Sequence, residues 1–166
     1  MYVPRKRVIA VLAGVLALGS LVFAFTASGS SRDEGNGDSL FRSTLAPSTP
    51  TDPAFHGIAP GGVPWVLAGS SVRLKADGEF DLRVEGLVIP ALGTPGPVTT
   101  VSASLLCGPD TNTGPTVTTA AARLSPEGNA RIESTLTLPA SCLAPIVVVH
   151  PNGGVTRYIA VSGWKS

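Results

Sequence analysis

Charge is scarce in this 166-residue chain: 14% of residues are charged, and twelve basic side chains against eleven acidic ones leave a net charge of +1. Over residues 62–166, Arg73, Lys75, Arg83, Arg123, Arg131, Arg157 and Lys165 balance Asp77, Glu79, Asp81, Glu85, Asp110, Glu127 and Glu133. With no basic stripe, the electrostatic footprint that nucleic-acid binding needs is missing. Histidine is limited to His56 and His150, and no serine sits in a glycine-flanked elbow. Neither histidine has a nucleophile or partner acid at a recognisable spacing, so the expected catalytic, cofactor and metal sites are none. Asp81 and Glu85 fall at outward strand positions with no cleft, a poor arrangement for glycosidase chemistry. A helical hydrophobic period is also absent from residues 62–166.

What is present starts at the N-terminus. Arg5, Lys6 and Arg7 precede residues 8–27, an almost unbroken apolar run without a charge. Residues 1–30 therefore read as an N-terminal hydrophobic helix, either a signal peptide or, since about 20 apolar residues also span a bilayer, a membrane anchor. Both readings deliver the remainder outside and place the protein extracellularly or at the cell surface. The membrane is expected to be met only through residues 1–30, and only if they are not cleaved. Residues 31–61 are rich in Ser, Pro, Gly and Asp, with too little apolar surface to offset chain entropy, and read as a disordered linker. Export decides how the two cysteines are read: in an oxidising compartment Cys107 and Cys142 are expected to form a disulfide. Closing a loop of roughly 35 residues is worth on the order of 4 kcal/mol in the chain-entropy model.

Residues 62–166 read as one all-β domain, an immunoglobulin-like or other Greek-key antiparallel β-sandwich of seven or eight strands. Its register is solvable at residues 71–89. A two-residue loop at Asp77-Gly78 would put charges on the apolar face. A three-residue loop, Ala76-Asp77-Gly78 with Gly78 left-handed, pairs Leu74 with Phe80 and Val72 with Leu82, and sets Lys75 opposite Glu79 and Arg73 opposite Asp81. Strands follow over residues 64–67, 98–107, 115–124, 130–138, 146–149 and 155–161. Along 98–107, Val101, Ala103, Leu105 and Cys107 face inward while Ser102 and Ser104 face outward. The Thr- and Ala-rich 115–124 belongs near an edge, and the β-branched run 146–149 is a central strand covered on both faces. Trp65 and Trp164 bracket the domain as apolar plugs. If each strand crosses the domain, the loops at 76–78, 108–114 and 139–145 share one end, which brings the cysteines together.

The segments Phe80-Asp81-Leu82-Arg83-Val84-Glu85-Gly86-Leu87-Val88-Ile89-Pro90, Thr100-Val101-Ser102-Ala103-Ser104-Leu105-Leu106-Cys107 and Leu138-Pro139-Ala140-Ser141-Cys142-Leu143-Ala144-Pro145, with His150-Pro151, together resemble uncharacterised secreted actinobacterial β-sandwich proteins. That resemblance implies compartment, disulfide and fold, and brings no activity. Gly114-Pro115-Thr116-Val117 and the glycine turn after His150 are more loosely similar to the chordin-type extracellular repeat, whose paired histidines are lacking here.

The expected function is that of an exported, non-enzymatic module of the cell envelope or extracellular space that binds a protein or envelope polymer. Two alternatives stand beside it. An extracellular enzyme would use His150 together with an acid or hydroxyl. A calcium-dependent adhesion-type domain would use Asp110-Thr111-Asn112-Thr113-Gly114, which carries alternating oxygen ligands but no later bidentate acid, with Asp77 at the same end of the sandwich.

Overall fold

A computed structural model describes residues 39–163. The apolar N-terminal run, residues 31–38 of the expected linker, and Trp164 lie outside the described residues. Within them the chain is all-β, with no helix. In chain order the strands are β1 (Ser39–Ser43), β2 (Leu45–Pro47), β3 (Ala59–Pro60), β4 (Gly69–Lys75), β5 (Glu79–Glu85), β6 (Thr100–Leu106), β7 (Val117–Thr118), β8 (Ala122–Arg123), β9 (Ala130–Thr135), β10 (Ile146–Pro151), β11 (Arg157–Tyr158) and β12 (Ala160–Ser162). Four form one antiparallel sheet in the order β1-β4-β5-β9. A second antiparallel sheet runs β2-β12-β10-β6-β7, with β8 also pairing β6, and β11 pairs β3 in parallel.

The hairpin takes the register its side chains demand. Val72 pairs Leu82, Arg73 pairs Asp81 and Leu74 pairs Phe80, while Gly78 has φ +89° at the bend. A side chain at Gly78 would run into the carbonyl oxygen of Leu136, so both the left-handed backbone and the close approach require glycine. The inner faces of the two sheets share one core: Val72, Leu74, Phe80, Leu82 and Ile132 from the first meet Val101, Ala103, Leu105, Val147 and Val149 from the second, and Trp65 fills one margin. β10 lies between β12 and β6 and is buried on both faces, as its β-branched run requires. The 115–124 strand sits at a sheet margin but is broken in two: β7 and β8 pair different parts of β6, and between them Thr119 Oγ1 accepts from the Ala103 amide at 3.0 Å. The strand expected at 64–67 reduces to a single bridge, Val66 with Val88.

One boundary is corrected. Residues 39–61 are part of the folded domain, not a disordered linker. β1 extends the first sheet, with Phe41 opposite Leu74 and Leu40 extruded as a bulge beside Ser39, and β2 closes the second sheet against β12. Residues 48–61 then cover the outer face of the second sheet. Ser48 N and Gly61 N donate to Ile159 O and Tyr158 O at 3.0 and 2.8 Å. Phe55 and Ile58 join Leu106, Ile146, Val148, Tyr158 and Val161 in a second, smaller core, with the rings of Phe55 and Tyr158 5.5 Å apart. Composition misleads here because prolines lose only a donor. The carbonyls of Pro53 and Pro60 still accept, from Tyr158 Oη at 2.7 Å and Arg157 Nη1 at 3.0 Å, and fixed φ angles reduce the entropy lost on folding.

The expected strand count of seven or eight is exceeded because three of the twelve strands lie before residue 62 and because the stretches expected as single strands at 115–124 and 155–161 are each divided, into β7 with β8 and β11 with β12. The outward placement of Ser102 and Ser104 also needs correction. Both do point away from the main core, but they lie beneath that cover, 2% and 1% exposed.

Candidate functional site

Three places bring chemistry-bearing side chains together. The first is buried. His150, wholly inaccessible on β10, places Nδ1 2.7 Å from the carbonyl oxygen of Arg157 and Nε2 2.8 Å from Ser104 Oγ. A carbonyl can only accept, so Nδ1 carries the proton. Burial pushes the imidazole below its ordinary pKa, against the opposing pull of the Arg157 carbonyl, and the ring is neutral. Nε2 therefore accepts from the Ser104 hydroxyl, which in turn accepts from Thr118 Oγ1 at 2.7 Å. Ser102 Oγ, on the residue directly opposite His150 in the ladder, is buried with no hydrogen-bond partner. The sequence offered His150 no hydroxyl; the cross-strand register of β6 supplies one, 46 residues away. Among the described residues, neither His150 nor Ser104 lines any of the five surface concavities nearest in size to a binding site.

The second place is the disulfide pole. Cys107 and Cys142 lie at bonding distance, with Cα atoms 4.9 Å apart, and Gly108 N donates to Leu143 O at 2.7 Å. The loops following β4, β6 and β9 meet at this end: Leu136 N donates to Gly78 O at 2.9 Å. β1 begins there too, with Ser39 opposite Lys75. An apolar hollow of about 280 Å³ opens beside Leu40, Phe41, Leu138 and Cys142. The expected calcium ligands at this end are engaged with backbone: Asp110 Oδ1 accepts from His56 N at 2.6 Å and Asp77 Oδ1 from Glu79 N at 2.9 Å. Among the described residues no group of three or more His, Cys, Asp or Glu is placed to hold a metal ion. His56 is buried at φ +49°, its carbonyl taken by Gly114 N at 2.8 Å.

The third place is the outer face of the four-stranded sheet. Because side chains alternate along each strand, the apolar set of β4, β5 and β9 points inward and every charge points out. Rows across the sheet read Lys75, Glu79; then Arg42, Arg73, Asp81, Glu133; then Arg83, Arg131. Neighbours do not simply pair with the residue opposite. Asp81, expected to meet Arg73, instead accepts from Arg131 Nε and Nη2 at 3.2 and 2.8 Å. Arg131 also reaches Glu133 at 2.6 Å, and Arg73 turns to Glu79 at 3.6 Å, alongside Lys75 at 2.8 Å. The hydrogen bond and charge of Asp81, then the charge of Glu133, hold the Arg131 guanidinium above its ordinary pKa.

Three shallow clefts, of about 480, 440 and 280 Å³, lie along this face, and Arg131 borders all three. Sequence reasoning saw the charges as balanced and solvated. It missed their convergence, because Arg123 arrives on β8 from the other sheet and Arg42 from the expected linker. No protein-family model, curated protein or solved structure matches this chain.

Proposed function

We propose that the protein is an exported, non-enzymatic β-sandwich module, immunoglobulin-like in kind, that binds a protein or polymer of the cell envelope or extracellular space across the open face of its β1-β4-β5-β9 sheet. The observation that carries this reading is an asymmetry. One sheet has its outer face roofed by residues 48–61, with the Phe55 ring of the roof packed on Tyr158 beneath it, whereas the other presents its charged rows and three contiguous clefts to solvent. Export is supported by the basic start and apolar run of residues 5–27, and is compatible with the cysteine pair. The test compares the full chain in detergent with an Arg73→Glu/Glu133→Lys variant for binding to purified envelope polysaccharides and surface proteins. Glu133 is exposed and Arg73 half-buried on the outer face, so the far-ultraviolet spectrum should be unchanged while binding is lost. Binding at wild-type strength by a folded variant would refute the assignment to this face.

A hydrolytic reading is favoured by one observation, the 2.8 Å contact between Ser104 Oγ and His150 Nε2. Sealing of both groups argues against it, since an acyl group must reach the nucleophile. Covalent labelling of Ser104 by a fluorophosphonate in the native protein would restore it; the expected result is no labelling.

A further inference from the structure

The cleft of about 480 Å³ at one end of the open face draws arginines from three strands: Arg83 of β5, Arg123 of β8 and Arg131 of β9. Arg83 and Arg131 stand directly opposite one another in the ladder, where like charges destabilise a sheet. Arg131 is compensated by Asp81 and Glu133. Arg83 has only Glu85, at 4.0 Å, and Arg123 forms no ion pair among the described residues. Two guanidinium groups of low compensation therefore flank one concavity.

Its floor is fixed. Asn129 Oδ1 accepts from Gly86 N at 3.0 Å, and the neighbouring turn is tied by Leu87 N to Gly128 O at 2.9 Å. That leaves the Asn129 Nδ2 donor, with the Glu85 carboxylate as acceptor, beside the arginines.

We propose that this cleft binds a hydroxylated monocarboxylate, a uronic-acid-type unit of a sparsely charged polysaccharide. Planar guanidinium forks match a carboxylate, while Asn129 and Glu85 suit sugar hydroxyls. Glu85 opposes a dianion more than a monoanion. The acidic row beyond Arg131, Asp81 with Glu133, repels a second closely spaced charge, so dense polyanions are disfavoured. The inference rests on the binding reading above and deepens it, with Arg83 and Arg123 as the residues that decide it.

Its test is titration of the full chain, labelled with ¹⁵N-arginine in detergent, with galacturonate, galactose, acetate and inorganic phosphate. Galacturonate should shift the Arg83 and Arg123 Nε–H resonances saturably and at lower concentration than acetate or phosphate; galactose should leave them unmoved. Arg123→Gln should weaken galacturonate about fivefold, and Arg42→Gln, at the other end of the face, should leave it unchanged. Non-saturating shifts, equal effects of the two variants, or a preference for phosphate would each overturn the proposal. Loss of galacturonate binding in Arg123→Gln would sustain it even if the Arg73→Glu/Glu133→Lys variant still bound envelope polymer, so the two readings fail separately.

Discussion

The Tyr158 phenol donates a 2.7 Å hydrogen bond to the carbonyl of Pro53, 105 residues earlier in the chain, and so fastens the roof of residues 48–61 onto the second sheet. Tyr158→Phe keeps the ring and removes the bond. It should cost about 1 kcal/mol in urea unfolding. Burial, then the charge of Asp52, raises this phenol to about 12 from 10.0. A raised acid keeps its full contribution below the unfolded value of 10, and that contribution is lost as pH rises through about 12. Stability should thus fall between pH 10 and 12 in the wild type and fall less in Tyr158→Phe.

Acid acts through His150. Its pKa lies below the ordinary 6.5 because the folded ring is buried and neutral. At pH 7.5 neither state is protonated and stability is full; below 6.5 the unfolded chain takes up a proton that the native one refuses, and stability declines as pH drops toward the folded value. Denaturant midpoints at pH 7.5, 6 and 5 should show this decline, and a folded His150→Gln variant should show a shallower one.

Two neighbouring serines should respond oppositely to the same substitution. Ser104→Ala removes the donor to His150 and the acceptor of Thr118, leaving buried groups unpaired, and should destabilise by about 1–3 kcal/mol. Ser102→Ala removes a buried hydroxyl that has no partner and should be neutral or stabilising. Thermal melts of the pair decide it; equal losses would mean that the network does not hold the hydroxyls apart as described.

Reduction should be felt across the whole domain. The Cys107–Cys142 bridge closes a separation of 35 residues, and opening it should cost about 4 kcal/mol in the chain-entropy model. Urea unfolding with and without reductant measures the difference.

The corrected boundary predicts the fate of a truncated chain. A polypeptide beginning at residue 62 lacks β1, β2 and the whole roof, exposing Leu106, Val148, Tyr158 and Val161. It should bind a hydrophobic dye and show no cooperative melt. Cooperative unfolding at the full-length midpoint would return residues 39–61 to the role of a spacer.

The hairpin and the pole were legible because their signals are local. Leu74 and Phe80 flank a short bend, and a slip of one residue exposes an entire apolar row, so burial leaves one register. The loops at 76–78, 108–114 and 139–145 follow from alternate crossings, and bring the cysteines to one end. The roof left no such trace: Ser48 pairs with Ile159, and Ala59 with Arg157, partners so distant that no local period records them. Ser102 and Ser104 then misled in turn, since a polar row on a strand reads as solvated until something is known to lie over it.

By itself the sequence determined an all-β domain, the bend at Gly78, the doubly buried run in β10 and the cysteine pair, because each follows from the alternation of neighbouring side chains or from having a single available partner. Only the tertiary structure decided that residues 39–61 belong to the domain, that His150 meets Ser104, and that Arg83, Arg123 and Arg131 share one cleft. Those depend on which faces long-range pairing covers and which it leaves open, and burial of that kind is a property of the assembled sheets rather than of any stretch of chain.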